Sequence, residues 1–174
     1  GQSQPADAIE GSGVAFTDVQ NATVTNLTAV NNNGSGLAMW ARDEYPDENV
    51  GIINIQVTDS EFDANTEGVS LENNTAPVDN VEIHNSNLLN GAVTEGEAQL
   101  NATSNWWGSE NGPSAGAENT YNEGNQGAEV SDNVEFTPWL DAPADEGGEE
   151  FAPVTNSSNG QFASIQAADD TAED

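Results

Sequence analysis

Two side chains of this chain are basic, Arg42 and His84, and there is no Lys. Arg42 lies in "ARDEYPDEN", Ala41 to Asn49, beside Asp43, Glu44, Asp47 and Glu48. A lone cation among carboxylates suggests two chemistries. One is acid–base attack on a glycosidic bond, which needs two carboxyl groups at a set separation. The other is a Ca²⁺ or Mg²⁺ site built from hard oxygen ligands. Neither is specific here. With 31 Asp and Glu, paired carboxylates are inevitable. The stretch also lacks the D-x-D-x-D-G spacing of a calcium loop. The expectation is a solvated acidic loop, with Arg42 paired to Asp43, Glu44 or a neighbouring carboxylate. Asp43, Glu44, Asp47 and Glu48 stay as weak Ca²⁺ candidates, and otherwise no metal or cofactor is expected. His84 follows an inward-pointing Ile83, has no nucleophile at a useful spacing, and is expected on the surface. No catalytic residue is assigned.

The elements that position these groups must fold at a net charge of -30. Such a surface repels nucleic acid and anionic lipid, because phosphate binding needs Lys and Arg. It also opposes its own compaction until molar salt shortens the screening length to about 3 Å. Abundant acid with almost no base is the composition of a halophile's protein. Cys is absent, so disulfides are excluded, and one His excludes a multi-His zinc site. No apolar run approaches the ~18 residues of a membrane span. The chain begins with Gly1 rather than Met and is expected to be a processed or trimmed product.

Glycines keep time along the chain. "GVAF" at Gly13, "GLAM" at Gly36, "GVSL" at Gly68 and "GAVT" at Gly91 stand in register once "ARDEYPDEN" is removed. Alternation follows each glycine: Val14 and Phe16, Leu37 and Met39, Val69 and Leu71. It returns in Ile53–Val57 and Val81–Ile83. Period two means strands with one buried face. Short strands, Asn/Gly corners and a repeat near 23 residues predict an all-β solenoid of four to five turns. In it Val14, Leu37 and Val69 stack, as do Phe16, Met39 and Leu71. Val30 and Phe62 are expected as one apolar position, with Asn33 and Asn65 as one corner position. An antiparallel sandwich explains the alternation but not the glycine spacing.

"NATSNWWGSENGPS", Asn101 to Ser114, is followed after a polar loop by "VEFTPWL", Val134 to Leu140. With the repeats, this pair resembles right-handed parallel β-helix proteins of the pectate-lyase-like superfamily. The likeness is to archaeal and bacterial surface proteins and covers about residues 9–140. It implies a β-helix ending in a cap. The open cross-section of a last turn needs covering, and large rings cover it well. Trp106, Trp107, Phe136, Trp139 and Leu140 are expected to seal that end, with Gly108, Gly112 and Pro113 turning the chain. The family also contains polysaccharide lyases and hydrolases working on the helix flank. A flank groove with exposed aromatics and carboxylates near Arg42 would favour that activity.

Six N-x-S/T sequons begin at Asn21, Asn26, Asn33, Asn73, Asn101 and Asn156. They suit an exported glycoprotein. Residues 1–140 are expected as the β-helix with its cap and 141–174 as an acidic linker and tail, in which "GQFASIQA" can pair as a strand. The function expected is non-catalytic: an extracellular or cell-surface structural or adhesive protein. Its partners would be copies of itself or other surface proteins, joined end to end as a filament. The alternative is a polysaccharide-binding or polysaccharide-processing domain. Neither nucleic-acid binding nor membrane insertion is expected.

Overall fold

The computed structural model describes residues 11–42, 51–74, 76–115, 126–151, 154–156 and 160–162, the last two segments and Asn74 by backbone alone. The described part is all-β. Its first nine strands are β1 (Val14–Thr17), β2 (Gln20–Thr25), β3 (Thr28–Val30), β4 (Ser35–Arg42), β5 (Ile52–Thr58), β6 (Glu61–Asp63), β7 (Glu67–Asn74), β8 (Val78–His84) and β9 (Asn87–Leu88). Then come β10 (Ala92–Glu95), β11 (Leu100–Asn101), β12 (Val134–Glu135), β13 (Trp139–Leu140), β14 (Glu150–Phe151), β15 (Val154–Asn156) and β16 (Gly160–Phe162).

Three sheets take strands in rotation. The first is β1-β4-β7-β10, the second β2-β5-β8-β11-β12 and the third β3-β6-β9. Every pairing within them is parallel. This excludes the antiparallel sandwich. Apolar positions stack along each sheet: Val14, Leu37, Val69 and Ala92, then Phe16, Met39, Leu71 and Thr94. In the second sheet Val24, Val57 and Ile83 stack. In the third, Ala29 stacks with Phe62 and Leu88. Phe62, Val57, Ile83 and Leu88 are wholly buried.

The third sheet corrects one expectation. Ala29, not Val30, pairs with Phe62, and Val30 is 36% exposed opposite Asp63. The corner asparagine is Asn32, not Asn33: its N–H and its Nδ2 both donate to the Asn65 Oδ1, at 2.9 and 2.8 Å. Asn65 in turn donates its N–H to the Asn90 Oδ1 at 2.8 Å. Counting back from the glycines misplaces this corner by one residue. The partners are 33 apart here and 32 apart in the first sheet.

The glycine spacing has a packing cause. A Cβ on Gly13 would lie 2.9 Å from the Gly36 carbonyl oxygen, and one on Gly36 2.8 Å from that of Gly68. On Gly68 it would lie 2.5 Å from that of Gly91, and on Gly91 it would collide with the Glu129 carbonyl. Each glycine therefore lets the next layer sit against its backbone.

Asparagine supplies the corners. Eleven described non-glycine residues have positive φ, and nine of them are Asn or Asp. Their short polar side chains tolerate the left-handed conformation that other residues resist. Asn21, Asn54 and Asn80 hold it at one position on three successive layers, with φ of 55°, 54° and 51°. The Asn54 Nδ2 donates to the Asn21 Oδ1 at 3.0 Å, and the Asn80 Nδ2 to the Asn54 Oδ1 at 3.1 Å. A buried second ladder closes the inner corner. The Leu27 N–H donates to the Ser60 Oγ at 3.1 Å, the Ser60 N–H to the Ser86 Oγ at 3.0 Å and the Ser86 N–H to the Asn105 Oδ1 at 2.9 Å.

The described residues 141–151 continue to pack beyond Leu140. β14 pairs antiparallel with β13, Trp139 opposite Phe151. A 3-10 turn at Ala144–Glu146 ties back to the third sheet: the Ala144 N–H donates to the Asn87 Oδ1, and the Asn87 Nδ2 to Asp145, both at 2.9 Å. The body therefore extends to Phe151. In the tail, β15 and β16 pair antiparallel with each other as a hairpin.

Candidate functional site

The flank of the first sheet carries the densest chemistry. Register places Trp40, Glu72 and Glu95 side by side on β4, β7 and β10, with Ala38, Ser70 and Val93 beside them. These six face away from the stacked core, because side chains alternate along a strand. Together with Ser35 and Glu67 they line a groove of about 300 Å³. The Ser35 hydroxyl lies 2.9 Å from the Ser70 Oγ and donates to Glu67 at 3.1 Å. Glu72 titrates above the ordinary glutamate range, first because it is partly buried and then because Glu95 is a like charge beside it.

Trp40 is not an exposed platform. It is 5% exposed, and its indole Nε1 is buried without a hydrogen-bond partner. The Arg42 guanidinium stacks over the ring, 5.3 Å from its centroid. Arg42 pairs with Asp18 of the preceding layer, Nε to Oδ2 at 3.6 Å, and its backbone N–H donates to the Asp18 Oδ1 at 2.8 Å. Asp43, Glu44, Asp47 and Glu48, the metal candidates and two of the expected partners, lie outside the described residues. Among the described residues no group of three or more His, Asp or Glu is placed to hold a metal.

His84 is half-buried and bridges layers. Its Nδ1 lies 2.9 Å from the Thr103 carbonyl. A carbonyl only accepts, so that nitrogen carries the proton. Its Nε2 is 3.7 Å from Glu82. The expected free surface histidine is instead a strut, because its strand neighbour β11 brings the Thr103 turn under the ring.

The two ends of the stack differ. At the C-terminal end Trp107 and Trp139 are both fully buried, with Phe136 and Leu140 beside them. The Trp139 Nε1 donates to the Glu110 carbonyl at 3.0 Å, and its ring lies 6.4 Å from Phe136 and 5.2 Å from Phe151. Gly112, at φ 72°, presses on that ring, where a Cβ would come within 2.7 Å. Pro113 is buried and Gly108 exposed. Trp106 differs from its neighbour. It is half-buried and its backbone bridges to Asn87, while Trp107 enters the core cluster. Extended backbone sends adjacent side chains to opposite sides.

At the N-terminal end β1, β2 and β3 are each, among the described residues, the edge of their sheet. Val14, Phe16, Val19, Val24 and Leu27 there are only partly buried. Of the sequon asparagines, Asn21, Asn26 and Asn33 are exposed in this first layer, and Asn73 and Asn101 are half-buried. Asn156 lies in β15, where backbone alone is described.

Sequence reasoning missed Trp40, Glu72 and Glu95 as a row. The signal was available: each stands four residues after a spacing glycine, Gly36, Gly68 and Gly91. It also missed Asn105, which repeats nothing visible. No protein-family model, curated protein or solved structure matches the chain.

The carboxyl row gives a signed pH effect. Glu72 favours its protonated form when folded, so its contribution to stability is fully present below the ordinary glutamate range. That contribution is lost as pH rises through the raised folded value. Glu72→Gln is therefore expected to be more stable than wild type at pH 7 and equal to it near pH 4. Urea midpoints at the two pH values check this. An equal difference at both would show that Glu72 does not titrate as described.

Proposed function

We propose that the chain is a right-handed parallel β-helix acting as a non-catalytic extracellular building block in a high-salt milieu, joined through its open N-terminal layer. The observation that carries this reading is the asymmetry of the ends among the described residues: aromatic rings cover one, while the other leaves three edge strands and a half-buried apolar layer. Edge strands are templates for another chain's strands, and a contact between unlike ends does not close on itself. The acidic surface fits the same reading. At -30, copies repel one another in dilute buffer and approach once salt screens them. Both basic side chains support a structural role, since Arg42 and His84 tie adjacent layers together. No helix among the described residues is long and apolar enough to cross a membrane.

The tail offers the mating strands. A two-stranded hairpin is marginal alone and gains by adding to a sheet. Light scattering and negative-stain imaging in about 3 M salt test this with the full chain and with a chain ending at Phe151. Oligomers or fibres that disappear on truncation are expected. Monomers at every concentration for both chains would refute the assembly.

A second reading rests on the flank groove. The carboxylates of Glu67, Glu72 and Glu95 and the hydroxyls of Ser35 and Ser70 make a set suited to sugar hydroxyls. Binding of a neutral polysaccharide, weakened by Glu95→Gln, would favour it.

A further inference from the structure

We infer that, of the five sequons whose asparagine side chain is described, Asn21 and Asn26 are the ones that carry N-linked glycan, and that a molecule so modified ends the assembly while unmodified copies extend it; the second half rests on the end-joining proposed above. Transfer to a sequon needs two groups in reach of the transferase: the asparagine Nδ2 and the hydroxyl two residues on. The Nδ2 displaces the phosphate of a lipid-linked oligosaccharide from its anomeric carbon. A C–N bond forms, a C–O bond breaks, the lipid phosphate leaves and the amide proton passes to a base of the transferase.

The sequons sort on those two groups. Asn21 and Thr23 are both exposed, and so are Asn26 and Thr28. Asn33 is exposed, but its Ser35 is 3% exposed, with its hydroxyl held by Glu67 and Ser70. Asn101 is half-buried, and its Oδ1 takes both the N–H and the hydroxyl of Thr103, at 3.2 and 2.9 Å. Asn73 is half-buried in β7, and its Thr75 lies outside the described residues.

Asn21 has a further distinction. In the Asn21–Asn54–Asn80 ladder each later asparagine spends its Nδ2 on the layer before it. Asn21 is first, so it accepts through Oδ1 while its Nδ2 donates to no described residue. It is also the only one of the three that begins a sequon. A glycan there leaves the ladder intact. It occupies the side where the carboxamide of a strand added in register to β2 would sit. Asn26, at the β2–β3 corner, sets a second glycan on the same edge layer. Glycan thereby does what charge or proline does on other exposed edges.

The test is expression in an exporting, N-glycosylating high-salt host, with peptide mass spectrometry and a co-expressed control glycoprotein. Glycan is expected on Asn21 and Asn26, at several times the occupancy of Asn33, Asn73 or Asn101. Thr23→Val and Thr28→Val should each remove one glycan while leaving the asparagine and the strand in place. Both sites bare while the control is modified would overturn the inference. So would Asn33, Asn73 or Asn101 occupied as fully as the first two. Scattering in molar salt then separates the two claims. The doubly substituted, glycan-free chain should assemble and the modified chain should not. If both stay monomeric although the glycans are present, the end-joining falls and the assignment of the sites stands.

Discussion

Trp107→Ala is expected to remove roughly 3–5 kcal/mol of stability. For a body of this size that lowers the melting temperature by roughly 6–20 °C. Trp106→Ala, one residue away, is expected to cost only about 1 kcal/mol. The contrast follows from burial. Trp107 is 0% exposed and belongs to the core cluster, whereas Trp106 is half-buried outside it. Deleting the Trp107 indole opens a cavity under the closing turn, with Trp139 and Phe136 held by their own contacts above it. Thermal unfolding in about 3 M salt, followed by circular dichroism, reads both variants. Equal losses would mean that the two rings share the cap, against the alternation seen here.

The second large effect centres on Asn105. It is fully buried, and its carboxamide joins four backbone groups. Its Oδ1 accepts the Ser86 N–H at 2.9 Å, and its Nδ2 donates to the Ile83, Ala102 and Thr103 carbonyls at 2.6, 2.8 and 3.2 Å. Asn105→Ala removes all four bonds, and of these partners the Thr103 carbonyl keeps His84. Each buried group left without a partner costs about 1–3 kcal/mol, so a total loss of roughly 3–6 kcal/mol is expected after partial relaxation. Asn105→Asp separates the donor from the acceptor. A carboxylate there still accepts from Ser86 but faces three carbonyl oxygens. Burial and those oxygens raise its folded pKa, so its stability is present below the ordinary aspartate range and lost as pH rises. Its deficit against wild type should be small near pH 3.5 and large at pH 7, by urea midpoint at each. A deficit independent of pH would show that packing, not the donated hydrogen bonds, sets the requirement.

Some of this was legible in the sequence, for physical reasons. Glycines recur because each Cβ would strike the next layer's backbone, so their spacing tracks the layers directly. The apolar alternation after them follows from the strand period, and the pairing of Val14 with Leu37 and Val69 could be read from it. Corners were less legible. The Asn32–Asn65 rung is one residue out of step with the glycines, so extrapolation selected Val30 and Asn33 in place of Ala29 and Asn32. Neighbouring aromatics look alike as letters, yet the backbone sends Trp107 inward and Trp106 aside. Asn105 and Ser86 serve the same rung with different side-chain lengths, so no repeated residue type marks it. The Trp40–Glu72–Glu95 row was hidden by abundance. The shared offset of four from Gly68 and Gly91, which the parallel register confirms, picks Glu72 and Glu95 from 31 acids.

The central claim is that the first layer is the joint between molecules. Amide hydrogen exchange reads it directly, because β1, β2 and β3 each have one side without a strand partner among the described residues. The measurement is exchange of the unglycosylated full chain in about 3 M salt, at dilute and at high protein concentration. Slowing confined to residues 14–30 and the tail hairpin as concentration rises is the predicted result. Exchange in those strands that stays the same at every concentration, while scattering reports larger particles, would place the contact elsewhere and contradict the account.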